Sequence, residues 1–396
     1  MHTLQIISEN TNWQEILQND FAISAKNDPL VPDYFNLCYD QIGSPKSHKL
    51  VQECRGVVVD ASEPIAVGRP FDRFYNYGEV PDITKSINFE NCTVFDKLDG
   101  SIITFYFSEK YNTWLVSTKS TTTARSSFTK NRIAFLHLIL EALNCNSEHF
   151  SKMSPYIPEE TLFIDDSVFW TYMDMINNII DPHFDRSYTY ICELTSPHNQ
   201  IVTKYDESEL TLIGCRHIDG YYRDINEMSG TLLNVPKTYQ VNGLDEIQKV
   251  LDDLNNGKEN VLEGFVVMDN ETHVRTKIKS GTYLKIHRAL GGKFTRKDAI
   301  RVAMDGEEDE FLSYYPEHKD AVMDLVKKRE EIIEKIDECM EFYDNNISDR
   351  KTVAQELRKF NLTGVVFPAK SKGISNPRIA FSSVSSKLRY DLIDKW

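Results

Sequence analysis

The chain has 396 residues and a mass of 45.8 kDa, with 60 Asp and Glu against 45 Lys and Arg, for a formal charge of −15. A hydrophobic share of 41% and a charged share of 27% exclude a disordered chain and leave enough length for two or three domains. The start, Met1-His2-Thr3-Leu4, has no basic and then apolar leader. The longest apolar stretch, Ile133 to Leu143, holds a His and a Glu and falls short of the ~20 residues that a membrane span needs. The expectation is a soluble, cytoplasmic protein that does not engage a membrane. Seven scattered cysteines without a CxxC pair argue against a zinc site and a disulfide framework.

Along the chain two textures alternate. Up to about Ile286, short runs rich in β-branched and aromatic residues predict strands at Gly56–Asp60, Thr93–Phe95, Ser101–Phe107, Trp114–Thr118, Tyr188–Leu194, Leu210–Cys215 and Gly264–Met268. Helical patterns interrupt them at Ser127–Leu143 and Leu244–Leu254. Beyond Ile286, Val322, Leu325, Val326, Ile332, Ile333, Ile336, Met340 and Tyr343 recur at helical spacing along Glu317–Asp344, and a second helix is predicted over Arg350–Phe360. The reading is an α+β protein: a domain of antiparallel sheets over 1–286, then a smaller all-helical domain over 287–396.

The acidic average hides a local excess. Between Thr272 and Arg301 stand nine Lys or Arg and one acid, Asp298, a net +8. Such a run is either a footprint for phosphates or a solvated charged face.

The sharpest motif is Phe95-Asp96-Lys97-Leu98-Asp99-Gly100-Ser101, in which a lysine leaves one strand and an Asp-Gly turn leads into the next. Upstream lie Glu53-Cys54-Arg55-Gly56 and Arg69-Pro70-Phe71-Asp72-Arg73-Phe74-Tyr75-Asn76. Downstream come Ser117-Thr118-Lys119-Ser120, Glu193-Leu194-Thr195-Ser196-Pro197-His198-Asn199-Gln200-Ile201-Val202, Leu262-Glu263-Gly264 and Thr276-Lys277-Ile278-Lys279. On a strand, Lys277 and Lys279 project to one side and Ile278 to the other.

This ordered set resembles the covalent nucleotidyltransferases, the superfamily of ATP-dependent ligases and mRNA capping enzymes, and within it the RNA ligase 1 family of the T-even phages. The resemblance implies an N-terminal nucleotidyltransferase domain of ligase type, with ATP-grasp-like antiparallel sheets, and a C-terminal helical domain for RNA specificity. It implies Lys97 as the nucleophile that becomes linked to AMP. Arg55, Arg73, Glu193, Lys277 and Lys279 would hold ATP, Glu193 at the ribose, and Leu37 stands where the family has a tyrosine near the nucleotide. Asp99 and Glu263 would lie near the phosphates and metal, Lys119 and Tyr283 match positions that the family requires, and Asp309 falls where it binds magnesium. Arg73 replaces the family's usual lysine.

The chemistry explains these residue types. A lysine attacking the α-phosphate of ATP must be neutral, and an unperturbed pKa near 10.4 leaves about 0.1% neutral at pH 7.4, so nearby cations are useful both there and on the phosphoryl oxygens. The implied activity is an ATP-dependent RNA ligase with Mg2+ or Mn2+, working in three steps: self-adenylylation, transfer of AMP to a 5′-phosphate, and sealing by a 3′-hydroxyl. The implied partners are single-stranded or nicked-loop RNA, a tRNA anticodon loop among them, and an end-healing kinase or phosphatase; a monomer is expected. The alternatives are an mRNA capping guanylyltransferase or a DNA ligase, which usually carry a C-terminal OB-fold barrel where this tail reads helical, and a catalytically inactive RNA-binding relative.

Overall fold

A computed structural model describes residues 1–125, 133–144, 164–199, 203–228, 232–241, 243–256, 262–280 and 294–396. The chain divides into two compact units. The first comprises Met1–Ser8, Lys26–Cys38 and Gln52–Leu290; the second comprises Glu9–Ala25, Tyr39–Val51 and Gly291–Trp396.

The sheets are built from fourteen strands among the described residues. β1 (Ile23–Asp28), β2 (Val31–Tyr39), β3 (Arg55–Asp60) and β4 (Ile65–Gly68) form one sheet in that order. The others are β5 (Tyr75–Asn76), β6 (Cys92–Lys97), β7 (Ser101–Ser108), β8 (Thr113–Thr118), β9 (Tyr188–Thr195), β10 (Glu209–His217), β11 (Tyr222–Arg223), β12 (Thr238–Tyr239), β13 (Gly264–Asp269) and β14 (Arg275–Lys279). They make two five-stranded sheets, ordered β11-β10-β9-β7-β8 and β12-β6-β13-β14-β5. All seven predicted strands are present. The turn after Lys97 is no hairpin, however: β6 and β7 belong to different sheets, so Lys97 ends a strand of one and Ser101 begins a strand of the other.

Each of these two sheets is covered by helices chosen by apolar spacing. Ile247 and Leu251 of helix Leu244–Asn255 pack with Val94, Phe265, Val267 and Ile278 on one face of the β6-β13-β14 sheet. The other five-stranded sheet lies against helix Phe135–Asn144, which overlaps the predicted Ser127–Leu143 pattern and ends one residue beyond it (126–132 lie outside the described residues), and against helix Asp166–Ile180. The latter buries Phe169, Met173, Ile176 and Ile180 and is capped by Asp165, whose carboxylate accepts from the Ser167 and Val168 N–H groups.

The second unit is helical. Its longest helix, Lys319–Asn345, buries Val322, Leu325, Val326, Ile332, Ile333, Ile336, Cys339 and Met340, the predicted stripe. Helix Arg296–Asp305 starts with a capping box in which Thr295 and Asp298 satisfy each other's N–H groups. Arg329, 5% exposed, donates to the Ala303 carbonyl and to Glu308 and Glu330, so this buried charge is fully paired. The unit is not purely C-terminal. Asn376 Nδ2 donates to the Asn19 carbonyl at 2.8 Å, and Ile42 packs against the helical core, its N–H held by Asp40 at 2.9 Å. Sequence periodicity reports faces, not docking partners, and so gave no sign that these early segments join the later helices.

Candidate active site

Alternation along three neighbouring strands builds the floor of a cavity of about 600 Å³ in the first unit. Register places Gly264 of β13 opposite both Lys97 of β6 and Lys279 of β14, Val266 opposite Phe95 and Lys277, and Met268 opposite Thr93 and Arg275. All of these but Gly264 line the cavity. The rows are ~7 Å apart, two residues of strand rise, so three cations of β14 run in file along one wall. Ile278 faces the opposite way into the small core, as the alternation predicted.

Lys97 and Glu263 meet at the first row. The Lys97 Nζ donates to Glu263 Oε2 at 2.5 Å, and Lys279 Nζ lies 3.4 Å from Glu263 Oε1. Glu263 has 6% side-chain exposure, so a buried carboxylate is shared by two ammoniums. Asn255, 1% exposed, holds this carboxylate's segment in place. Its side chain donates to the Leu262 carbonyl and to Ser280 Oγ and accepts from the Leu262 N–H. Gly264 is required here by close approach, because a Cβ would sit 2.2 Å from the Ile278 carbonyl oxygen.

The turn that follows Lys97 is docked on β9 and the segment beyond it. The Gly100 N–H donates to Glu193 Oε1 at 3.1 Å, the Asp99 N–H donates to the Tyr205 hydroxyl at 3.1 Å, and Asp99 Oδ2 accepts from the Thr203 N–H at 2.9 Å. A Cβ at Gly100 would meet the Leu194 carbonyl oxygen at 2.4 Å. Burial pushes the Glu193 carboxyl up to about 7, with Lys97 and Arg55 pulling in the other direction.

Arg55, at the start of β3, lines the cavity with its guanidinium 5.0 Å from the Phe74 ring, and Lys277 Nζ lies 5.4 Å from the same ring. The buried Nη1 of Arg55 has no hydrogen-bond partner among the described residues, a donor left over for an anionic ligand. Arg73 is 6% exposed and lies over Tyr75 at 5.3 Å. The segment that carries Arg73 is tied down by Arg216, which donates to the Pro70 carbonyl at 2.7 Å and to both oxygens of Asp72 at 2.9 and 3.0 Å.

The structure therefore brings Lys97, Glu193, Lys277, Lys279 and Arg55 to one cavity, with Glu263 joined to Lys97 and Lys279 but not itself a lining residue, and leaves the buried Arg73 off the lining as well. Asp99 serves the turn through hydrogen bonds and does not line the cavity. Leu37 is wholly buried opposite Val57 and is not a lining residue, and Lys119 is exposed in the turn after β8. Tyr283 lies outside the described residues. Asp309 belongs to the helical unit, where it is exposed and pairs with Lys46 at 2.7 Å. The basic run is not one patch: Arg275, Lys277 and Lys279 line the cavity, Arg296, Lys297 and Arg301 sit on a helix of the second unit, and Lys285, Arg288 and Lys293 lie outside the described residues. Sequence reasoning passed over Tyr205 and Asn255. An Asn at the end of an amphipathic helix reads as an ordinary helix stop, and a Tyr between strands reads as core.

Comparison with known proteins fits this arrangement. A protein of Autographa californica nuclear polyhedrosis virus, named as a candidate bifunctional polynucleotide kinase/RNA ligase, is 28% identical over 308 residues, covering 75% of this chain and 40% of the viral protein. The RNA ligase of Rhodothermus phage RM378 is 26% identical over 324 residues, covering 69% of this chain and 68% of the phage protein. The chain thus spans less than half of the first relative and about two thirds of the second. A solved archaeal ATP-dependent RNA ligase overlays loosely, with a TM-score of 0.42 at 11% identity over 76% of this chain and 66% of that one, too little to argue from. Residues 53–284, more than half of the chain and the whole of the cavity lining, match the RNA ligase family of the T4 ligase 1 type, and the chain belongs to that family.

Proposed function

We propose that the protein is an ATP-dependent RNA ligase that joins 5′-phosphate and 3′-hydroxyl ends through a lysyl-AMP on Lys97. The observation that carries this reading is the placement of Lys97 at the end of β6, its Nζ on a buried carboxylate, in a cavity walled by Lys277, Lys279 and Arg55.

Attack on the α-phosphate needs a neutral amine, and Glu263 is the acceptor within hydrogen-bond distance of the Lys97 proton. With the Lys97 proton on Glu263 the carboxyl is neutral, and Lys279, 3.4 Å from its other oxygen, keeps a positive charge for the phosphates. Lys277, Lys279 and Arg55 meet the charge on the phosphoryl oxygens and on the departing pyrophosphate. The apolar floor at Phe95 and Val266 suits a nucleobase, and Glu193 offers a half-buried acceptor for a ribose hydroxyl.

Among the described residues no three His, Cys, Asp or Glu side chains converge on a metal site. Mg2+ or Mn2+ binds by way of the ATP phosphates and one or two carboxylates, and Glu263, bonded to Lys97, is a carboxylate that could serve. The bound ion would supply charge neutralisation on the phosphates. Asp309 as a metal ligand has only the family resemblance behind it.

The helical unit, which contributes no residue to the cavity among those described, is assigned to RNA recognition. A role in RNA repair, with a kinase or phosphatase preparing ends, draws support from the name of the Autographa californica virus relative. The test is incubation with α-labelled ATP or GTP and a denaturing gel, followed by end-joining assays. A lysine-linked AMP and sealed RNA are expected; linked GMP would mean capping, sealing of DNA alone a DNA ligase, and no adduct an inactive relative.

A further inference from the structure

The helical unit is electrically divided. Between Asp305 and Asp349 stand sixteen acids and five bases, a net −11, whereas between Arg350 and Tyr390 stand nine bases and one acid, Glu356, a net +8. The −15 of the whole chain conceals this contrast as it concealed the run near Thr272.

The structure shows how the basic half is used. Three of its cations fasten it to the acidic half: Lys370 to Asp344, Arg378 to Glu330, and Arg389 to Asp305 at 3.5 Å. Lys359 pairs locally with Glu356 at 2.5 Å. The remaining five, Arg350, Lys351, Arg358, Lys372 and Lys387, are exposed and have no ion-pair partner among the described residues. They sit on consecutive packed elements. Helix Arg350–Lys359 packs on helix Thr363–Ser371, that helix packs on Pro377–Ser382, and a Cβ at Gly364, near its start, would sit 3.2 Å from Leu388 in Ser386–Lys395.

We propose that the exposed cations of the 350–390 helices form a docking face for the phosphodiester backbone of RNA. The inference rests on the reading of the chain as an RNA ligase and names the surface that would hold its substrate. Charge complementarity argues for it: a face with five unpaired cations attracts a polyanion, and the adjoining acidic helix repels one, so the strand is confined to one side of the unit. Exposed lysines and arginines whose single neighbouring acid, Glu356, is taken up by Lys359 read the backbone, not the bases, so this face sets affinity and leaves sequence preference to other contacts.

The experiment uses the full-length protein with all of Arg350, Lys351, Lys372 and Lys387 changed to Glu, and in parallel to Gln in case the reversed set does not fold. Binding of a labelled 20-nucleotide single-stranded RNA is measured across salt concentrations, and self-adenylylation of each variant is measured separately. The expected result is at least a tenfold loss of RNA affinity at moderate salt and a fall in the log–log salt slope of about 3, since each phosphate released on a single strand removes ~0.7. Adenylylation should stay within twofold of the parent. Unchanged affinity and slope in a folded variant overturn the proposal. So does a salt-sensitive dimer, seen by sedimentation, that the Glu variant abolishes while RNA affinity holds, because the face would then meet the acidic helix of a second copy. If the parent forms no lysyl-AMP but the RNA result stands, the ligase reading fails and the docking face survives.

Discussion

The backbone N–H of Asp99 donates to the hydroxyl of Tyr205 across 106 positions of sequence. That bond, with the Gly100 amide on Glu193, fixes the two residues following the nucleophile's neighbour and so sets where the Lys97 side chain begins. Tyr205→Phe keeps the ring and removes the acceptor, leaving a part-buried N–H unpaired, at about 1–3 kcal/mol. If the loss falls on positioning, the rate of lysyl-AMP formation drops about tenfold with the KM for ATP within twofold. A rise in KM alone would place Tyr205 in nucleotide binding instead.

Lys97→Arg and Lys97→Ala separate chemistry from charge. Arginine keeps a cation on Glu263 but cannot give up its proton, so no adduct forms while the melting temperature stays near that of the parent. Alanine also abolishes the adduct and removes one of the two cations from a buried carboxylate, so it melts lower. Mass spectrometry of the intact protein and thermal denaturation read the two effects.

On the proposed placement of Glu193 at the ribose, nucleotide capture should depend on pH. Its carboxyl is raised to about 7 by burial, so it is protonated below that pH and ionised above it. A ribose hydroxyl donates better to the ionised form, so the KM for ATP should fall as pH rises through about 7, and Glu193→Gln should flatten the profile. The stability sign is opposite. A raised carboxyl binds its proton more tightly folded than unfolded, so its contribution is present below the unfolded value of about 4.3 and is lost as pH rises to about 7. The Gln variant should therefore gain stability relative to the parent at pH 8 but not at pH 4.

Gly264→Ala tests the close contact at the centre of the floor. With the Ile278 carbonyl 2.2 Å from the added carbon, β13 and β14 must separate. A destabilisation of about 2–3 kcal/mol by urea denaturation is expected, with loss of adenylylation because Lys97 and Lys279 flank this residue.

Removal of 291–396 should yield a sticky protein, not a clean catalytic fragment. Segments 9–25 and 39–51 belong with those helices, and Ile42 would lose the apolar core it packs on. Strong binding of a hydrophobic dye by the truncated chain is the expected observation.

Much of this could be read from residues alone, and for identifiable reasons. The strand faces of β14 and the stripe of Lys319–Asn345 follow from periods of 2 and 3.6, which local sequence writes directly. Lys97, Lys277 and Lys279 were found because their order along the chain is distinctive. Contacts between distant segments leave no such trace. The Tyr205 hydroxyl, the Asn255 clamp and the joining of Asn19 to Asn376 are all long-range hydrogen bonds, decided by where backbones meet in space. Composition can also mislead: the run from Thr272 to Arg301 is continuous in sequence yet divided between two units.

The cations of β14 occupy alternate positions opposite a strand that offers only Gly264, Val266 and Met268 to the same side. Parity therefore governs which variants the protein can tolerate. Deleting or inserting one residue in the 270–273 turn, whose N–H groups at Glu271 and Thr272 rest on Asp269, would exchange inward and outward positions over the whole strand. Thr276 and Ile278 would enter the cavity, and three positive charges would turn into the apolar layer beneath helix Leu244–Asn255. Changes of two residues preserve the alternation. Length variation in this turn among functional descendants should thus come in even steps, an arithmetic constraint imposed on a loop whose Asn270 and His273 edge the cavity.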